Sequence, residues 1–380
     1  MAERNGTLQT RMSNPNPTPK VRGLLRKTEE FWRDHHGWLL ESGYTLRSRY
    51  QPDWKPSWVG TKKDWHQCED GIWSTHFKIV DAQRTKDGAI VMLKRFKKSI
   101  HPYEVEIGQY FSSEALASDP QNHCVPIFEV LQVPDDDDEV ILVMPQLREF
   151  DDPRFDTIGE IVDFFSQIFE GLQYMHKHHV AHRDCGSLNI MMDASNMYID
   201  RYHPFRQYVK HDLSGRARHY TRTQRPVKYY LTDFGLSRKY DPQDGVPLEP
   251  PILGGDKSVP EYQDSDEPRN PFPADVYYLG NVIREKFTVG YEFESKAIGL
   301  DFIKPLVADM VQDDPSKRPT MDEVVERFTT IRKGLSSWTL RSRVVKQSDS
   351  SLTGVFRFFG HWQRRIVFVV KRVPAVPSPP

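Results

Sequence analysis

One aspartate five positions before an asparagine, and a second aspartate followed by phenylalanine and glycine, are the residues of this chain best suited to chemistry. His182-Arg183-Asp184 with Asn189 forms the first group and Asp233-Phe234-Gly235 the second. Asp184 and Asn189 on one short loop would approach a hydroxyl and a metal ion together, and Asp233 ahead of a flexible glycine would grip Mg²⁺ bridging phosphates. The chemistry these residues describe is phosphoryl transfer.

Such groups need rigid elements to hold them. Phe77 to Arg84 and Ala89 to Phe96 are extended apolar runs around an Asp87-Gly88 turn, and Val125 to Val133 and Glu139 to Met144 flank an acidic tip, Pro134 to Asp138. That tip reads first as a solvated hairpin end and second as an acidic docking patch. Beyond Asp156 the apolar period lengthens: Ile161, Phe165, Ile168, Leu172 and Met175 mark the buried face of a helix opened by Thr157 with Glu160 as a capping box. Similar patterns run from Ala274 to Ile283 and from Met321 to Ile331, the latter opened by Thr320 with Glu323. A small strand-rich part followed by a larger helical part predicts an α+β chain of two lobes with a cleft for a cofactor.

Composition sets the bounds. The 380 residues, 38% apolar and 12% aromatic, exceed a bare peptide-binding module, and a formal charge of −1 gives no overall bias toward nucleic acid. Cys68, Cys124 and Cys185 are scattered and odd in number, which suggests neither a disulfide framework nor a zinc site. With no apolar stretch in Met1 to Lys20 and no run of membrane-spanning length, an intracellular site, cytoplasmic or nuclear, is expected. The expected organisation is a disordered tail over 1–20, an aromatic-rich extension over 21–69 holding most of the tryptophans, a main domain over 70–335 (lobes 70–147 and 148–335), and a C-terminal tail over 336–380.

The catalytic loop and the Asp233 triplet resemble those of the eukaryotic protein kinases, and further motifs follow in that family's order over residues 70–335. Val91-Met92-Leu93-Lys94 resembles the strand lysine that holds the α- and β-phosphates. Val259-Pro260-Glu261 resembles the end of the activation segment. Asp275 stands where the family anchors its catalytic loop, and Arg318 where it pairs with the glutamate of Pro260-Glu261. The resemblance implies an ATP- and Mg²⁺-dependent kinase acting on protein Ser/Thr hydroxyls. Asp184, Lys94 and Asn189 would be catalytic, Asn189 and Asp233 would hold metal, and Lys94, Glu106, Met144, Gln146 and Asp233 would bind the nucleotide. Glu106 is the preferred partner of Lys94, with Glu104 second. A pseudokinase that binds nucleotide or acts as a scaffold is the main alternative, and a small-molecule kinase of the aminoglycoside or choline phosphotransferase kind the lesser one.

Several positions depart from the pattern. At the place of the glycine-rich loop, Gly71-Ile72-Trp73-Ser74-Thr75-His76 keeps one glycine, so nucleotide affinity should be reduced. Gly186 occupies the place of the lysine that neutralises the transferring phosphoryl group, Leu188 the place of the arginine used by tyrosine kinases, and Gly254 the place of the threonine that pairs with the lysine. Lys257 is the nearest substitute cation in sequence, with Arg216 and Arg218 as rivals. Arg183, which would ordinarily meet a phosphate, faces a segment with only Ser237, Tyr240 and Ser258 as hydroxyls but with Asp241, Asp244, Glu249 and Asp256 as carboxylates, any of which could take the phosphate's place. Residues 199–228 carry eight Lys/Arg against two Asp, a solvated basic loop first and a dock for an acidic or phosphorylated partner second. No nucleic acid partner is expected. Ile366 to Val370, between Arg364-Arg365 and Lys371-Arg372, is expected to pack on the large lobe, with membrane-surface contact by residues 355–373 as the second reading.

Overall fold

The computed structural model describes residues 24–291, 294–295, 297–347 and 351–377. The expected tail, 1–20, lies outside them. The fold is α+β, and the described chain divides into two compact units, one of residues up to Val91 with His203–Arg216, the other of Met92–Tyr202 with the residues from Ala217 onward. This division does not follow the expected boundary at residue 147. The strands and helix of residues 92–145 pack with the helical part instead, held by Val125 N–H donating to the Leu231 carbonyl (2.9 Å) and Leu231 N–H to the His123 carbonyl (2.7 Å).

In the first unit, strand Tyr44–Leu46 pairs antiparallel with Ile79–Arg84, placing Leu46 opposite Ala82. Trp32 is buried in the same unit. Buried arginines organise the rest. Arg49 makes a forked pair with Glu29 (2.9 and 3.0 Å), while Arg47 lies 2.9 Å from Asp81 and donates to the Ile72 carbonyl at 2.6 Å. Asp70 accepts from Trp54 Nε1 at 3.0 Å and from Ser57 Oγ at 2.6 Å. Trp65 stacks on Trp73 at 4.9 Å, and Arg26 covers the Trp73 ring at 4.3 Å. The tryptophans of this segment therefore cover one another and their own unit. Gly71 has a local reason: a Cβ there would meet the Trp65 carbonyl oxygen at 1.9 Å, so this glycine serves a close main-chain approach.

Part of the basic insert belongs to this unit as well. His203 is buried with Nε2 3.7 Å from a Glu69 oxygen, Arg206 donates to the His66 carbonyl, and Phe205 lies under Arg47 at 5.2 Å.

The second unit is built on the helix Ile158–Lys177, whose N-cap Thr157 accepts from Glu160 N–H at 3.2 Å. The expected capping box is only half formed. Glu160 reaches back to Asp156 N–H (2.7 Å) and across to Thr223 N–H and Oγ1 (both 2.9 Å), tying the insert's end to the helix start. Thr320 and Glu323 make the full box at the start of Met321–Gly334. The strand Glu139–Pro145 lies between Ile90–Lys97 and Glu129–Gln132, and its acidic turn is a tied hairpin end: Asp138 accepts from Ser99 N–H and Oγ at 2.7 Å. A second sheet orders Arg148–Glu149, Ile190–Asp193 and Lys228–Leu231, giving the candidate site residues two strands to hang from. Phenylalanines fill the core, Phe150 stacking on Phe164 at 4.6 Å. Arg222 of the insert joins that core, buried over the Phe155 ring at 4.3 Å and donating to the Phe150 carbonyl at 2.8 Å. Arg218 pairs with Asp200 at 2.8 Å. Those two of the eight basic residues are committed within their own unit.

Past the helix Pro271–Ile283 come short strands, of which Ala297–Ile298 pairs with Val345–Lys346. The C-terminal residues fold onto this unit, Ile158 N–H donating to the Ser342 carbonyl at 2.9 Å.

Asp163 is buried on the central helix, where Gln167 Nε2 donates to its side chain at 2.9 Å. Burial pushes its carboxyl up to about 8, and the neighbouring Glu160 and Glu170 charges act the same way against Gln167 and Arg332. The folded chain thus keeps this proton up to about pH 8 while the unfolded chain releases it near its ordinary value, so stability contributed by the neutral form is lost as pH rises between the two. Asp163→Asn should raise the melting temperature more at pH 8 than at pH 5; an equal change at both, followed by calorimetry, would contradict the assignment.

Candidate functional site

The site is assembled from the loop after the central helix, the turn after strand Lys228–Leu231, and the helix Glu104–Phe111, all within the second unit. Asp275, fully buried on helix Pro271–Ile283, accepts from the main-chain N–H groups of His182 (2.7 Å) and Arg183 (2.6 Å) and lies 3.1 Å from His176 Nε2. Arg183 has φ of +68°, in a region where a side chain is strained, and the two bonds to Asp275 hold it there. The next residue is Asp184. Asn189 Nδ2 donates to both the Asp184 carbonyl (2.8 Å) and its carboxylate (2.9 Å), and Thr232 N–H donates to the Asn189 carbonyl at 2.9 Å, fixing Asp233 beside this loop. Asp233 is also left-handed, φ +64°, with Oδ1 accepting from Gly235 N–H at 3.3 Å.

Lys94 sits between two carboxylates, Glu104 and Asp233, the latter at 2.9 Å. Burial acts to lower the lysine's pKa, but the two carboxylates outweigh it and raise it, keeping the ammonium charged. Asp233 is held below its ordinary value against its own burial by Lys94 and the Gly235 N–H. The partner of Lys94 is Glu104, and the preference for Glu106 is corrected: Glu104, Ile107, Gly108 and Phe111 form the buried face of their helix at spacings of three and four, and Glu106 falls on the exposed side. That helical phase was readable from Ile107 and Phe111 alone. Phe234 completes the contact, buried 6.3 Å from Phe111 and 5.8 Å from His182.

The surroundings of Asp184 are acidic. Burial raises its carboxyl to about 6, and Asp233, Asp275 and Asp256 add to this while the Asn189 hydrogen bond opposes it. Gly186 has open space where its Cβ would be. Lys257, the expected substitute, donates to the Ile252 carbonyl, five residues back along its own segment. Gly255, rather than Gly254, lies against the catalytic loop. At φ +70°, a Cβ on it would meet Asp184 Oδ1 at 2.3 Å, so only glycine permits this approach. The sequence signal for it was the pair of adjacent glycines, Gly254-Gly255.

The segment itself is pinned by charge. Glu249 lies 3.1 Å from Arg183, whose guanidinium also donates to the Leu236 (3.1 Å) and Pro250 (2.9 Å) carbonyls. Of the expected carboxylates, Glu249 is the one that meets Arg183. The segment's three hydroxyls are all engaged: Ser237 with the His182 carbonyl at 3.0 Å, Tyr240 with Glu249 at 3.2 Å, and Ser258 with Tyr277 at 3.2 Å. At its end Glu261 receives a forked pair from Arg318 at 2.7 and 2.6 Å.

A protein-family model described as protein kinase domain matches residues 75–250. Residues 75–250 are thus similar to a protein kinase domain. The chain is similar to the light-sensor protein kinase of Ceratodon purpureus, with 23% identity over 252 residues, 55% of this chain and 17% of that relative. The chain thus spans well under two thirds of the relative's length. The Glu261–Arg318 and Asp275 contacts lie beyond the matched residues.

Two outcomes follow from the ion pairs. Glu104→Gln should weaken nucleotide binding by roughly tenfold by removing a buried charge partner of Lys94, with Glu106→Gln close to the parent in titration calorimetry. Glu249→Gln should increase proteolytic cleavage between Gly235 and Pro260 several-fold, whereas phosphatase treatment of the parent should change nothing; a phosphatase effect equal to that of the substitution would refute the role given to Glu249.

Proposed function

We propose that this chain is an ATP- and Mg²⁺-dependent protein kinase that transfers phosphate slowly to Ser/Thr hydroxyls. The observation that carries the reading is Lys94 held between Glu104 and Asp233 while Asp184 and Asn189 are hydrogen-bonded on the adjoining loop. Asn189 gives its amide hydrogens to Asp184, which leaves its amide oxygen for a cation. Asp233 is half exposed and uses Oδ1 for both Lys94 and Gly235, which leaves Oδ2. Two oxygen donors completed by phosphate oxygens and water suit Mg²⁺, which would neutralise the charge of the transferring phosphoryl group. Gln146 Nε2 is buried without a hydrogen-bond partner, as a donor kept for a nucleotide would be, and Met144 packs nearby in the core. Glu106 has no part in this reading.

Asp184 would take the proton of the acceptor hydroxyl, and it is ionised for that purpose above about pH 6. Leu188 at the tyrosine-kinase arginine position supports a Ser/Thr acceptor. The slow rate follows from Gly186: the loss of one preorganised cation costs on the order of 10²- to 10³-fold. One observation favours the second reading, a nucleotide-binding module without transfer. Gly255 lies against the carboxylate that an acceptor hydroxyl must reach.

Single-turnover transfer with Mg·ATP and a Ser/Thr peptide library separates the two. The kinase reading expects transfer that is abolished by Asp184→Asn, falls about tenfold per pH unit below about pH 6, and rises in Gly186→Lys. Mg²⁺-dependent ATP binding with no transfer in either the parent or Gly186→Lys would establish the non-transferring module.

A further inference from the structure

The C-terminal helix Ser351–Val370 packs with its polarity inverted from His361 onward. A helix at the surface of a water-soluble domain turns apolar residues inward and charges outward. Here His361 and Arg365 are buried together with Phe368, Arg364 makes a forked pair with Asp156 (3.1 and 2.8 Å), and the Arg365 guanidinium lies 3.7 Å from the Trp338 ring centre. Ile366, Val367, Val369 and Val370 face outward, 58, 41, 55 and 76% exposed. Trp362, Ile366, Val369 and Val370 follow one another along the helix at spacings of four, three and one, and the exposed indole of Trp338 lies 6.0 Å from Trp362. Lys371 and Arg372 close the stripe and are exposed.

We propose that this face rests on the surface of an anionic phospholipid bilayer. The aliphatic side chains enter the boundary between headgroups and acyl chains, the two tryptophans lie at the level where amphipathic rings settle, and Lys371 and Arg372 meet the headgroup charge. Among the described residues no helix is long and apolar enough to cross a membrane, so this helix lies in the plane of the surface. Charge selects lipid over a second copy of the chain. Residues 351–373 contain five Lys/Arg and no Asp or Glu, so a copy presenting the same face supplies no opposite charge, whereas an anionic bilayer does. The anchoring pair of Arg364 with Asp156 keeps the helix docked on its own unit while the outer face is occupied.

Flotation of the full chain with phosphatidylcholine vesicles containing roughly one third phosphatidylserine tests this. The parent should float with these vesicles and be released by high salt. Ile366→Asp with Val370→Asp should reduce the bound fraction about tenfold, and Lys371→Glu with Arg372→Glu should do so comparably. The melting temperature of both variants should match the parent, because all four side chains are exposed; the second pair lies past the helix and tests the idea even where the first disturbs folding. Failure of the parent to float, equal flotation on pure phosphatidylcholine, or flotation unchanged in both variants overturns the proposal. A dimer that Ile366→Asp with Val370→Asp dissolves, without vesicle binding, assigns the face to a second copy.

Discussion

The buried carboxylate of Asp275 is the constraint from which the site is built. Two main-chain N–H groups of one loop donate to it, and that loop carries both an arginine in a strained conformation and the aspartate that follows. Charge-assisted bonds of this kind are about twice as strong as neutral ones, and their burial leaves no water to compete. Everything downstream inherits the geometry. Asp184 is aimed by the chain direction that Asp275 imposes, Asn189 is fixed by its bonds to Asp184, and Thr232 ties the strand bearing Asp233 to Asn189.

The same loop distributes its charges unevenly. On one side Arg183 is neutralised by Glu249 and two carbonyls, a stable arrangement that asks for no added phosphate. On the other, Asp184 is surrounded by carboxylates, with Lys257 engaged by the Ile252 carbonyl. A chain can be well ordered for holding a nucleotide and poorly equipped for stabilising the transition state, since ground-state and transition-state contacts come from different residues.

Much of this was legible in the sequence because it depends on order along the chain. The succession from Lys94 through Asp184, Asn189, Asp233 and Glu261 to Arg318 carried the resemblance to protein kinases and the α+β class, and the Thr320–Glu323 cap and the helix after Thr157 follow from local periodicity. The choice of Glu106 over Glu104 failed because it weighed position in the helix rather than phase; a carboxylate three residues before Ile107 and seven before Phe111 shares their face. Lys257 was placed by sequence distance, but its direction is set by the path of the segment, where left-handed Gly255 turns the main chain toward Asp184 and a carbonyl captures the ammonium. The basic insert was legible only in part, for a related reason. Composition counts charges, and it does not reveal that Arg222 lies among phenylalanines or that His203 and Arg206 complete a different unit.

That last arrangement governs the order in which the chain can become whole. The main-chain carbonyl of His66 and the guanidinium of Arg206 are 140 positions apart, and the segment between them includes most of the other unit's early strands and its central helix. Closing such a loop is entropically slow compared with forming local turns. During synthesis, therefore, the amino-terminal unit cannot finish when its own first stretch leaves the ribosome. It must wait for residues 203–216 to emerge, so its completion comes only after the other unit's early strands and central helix have been made.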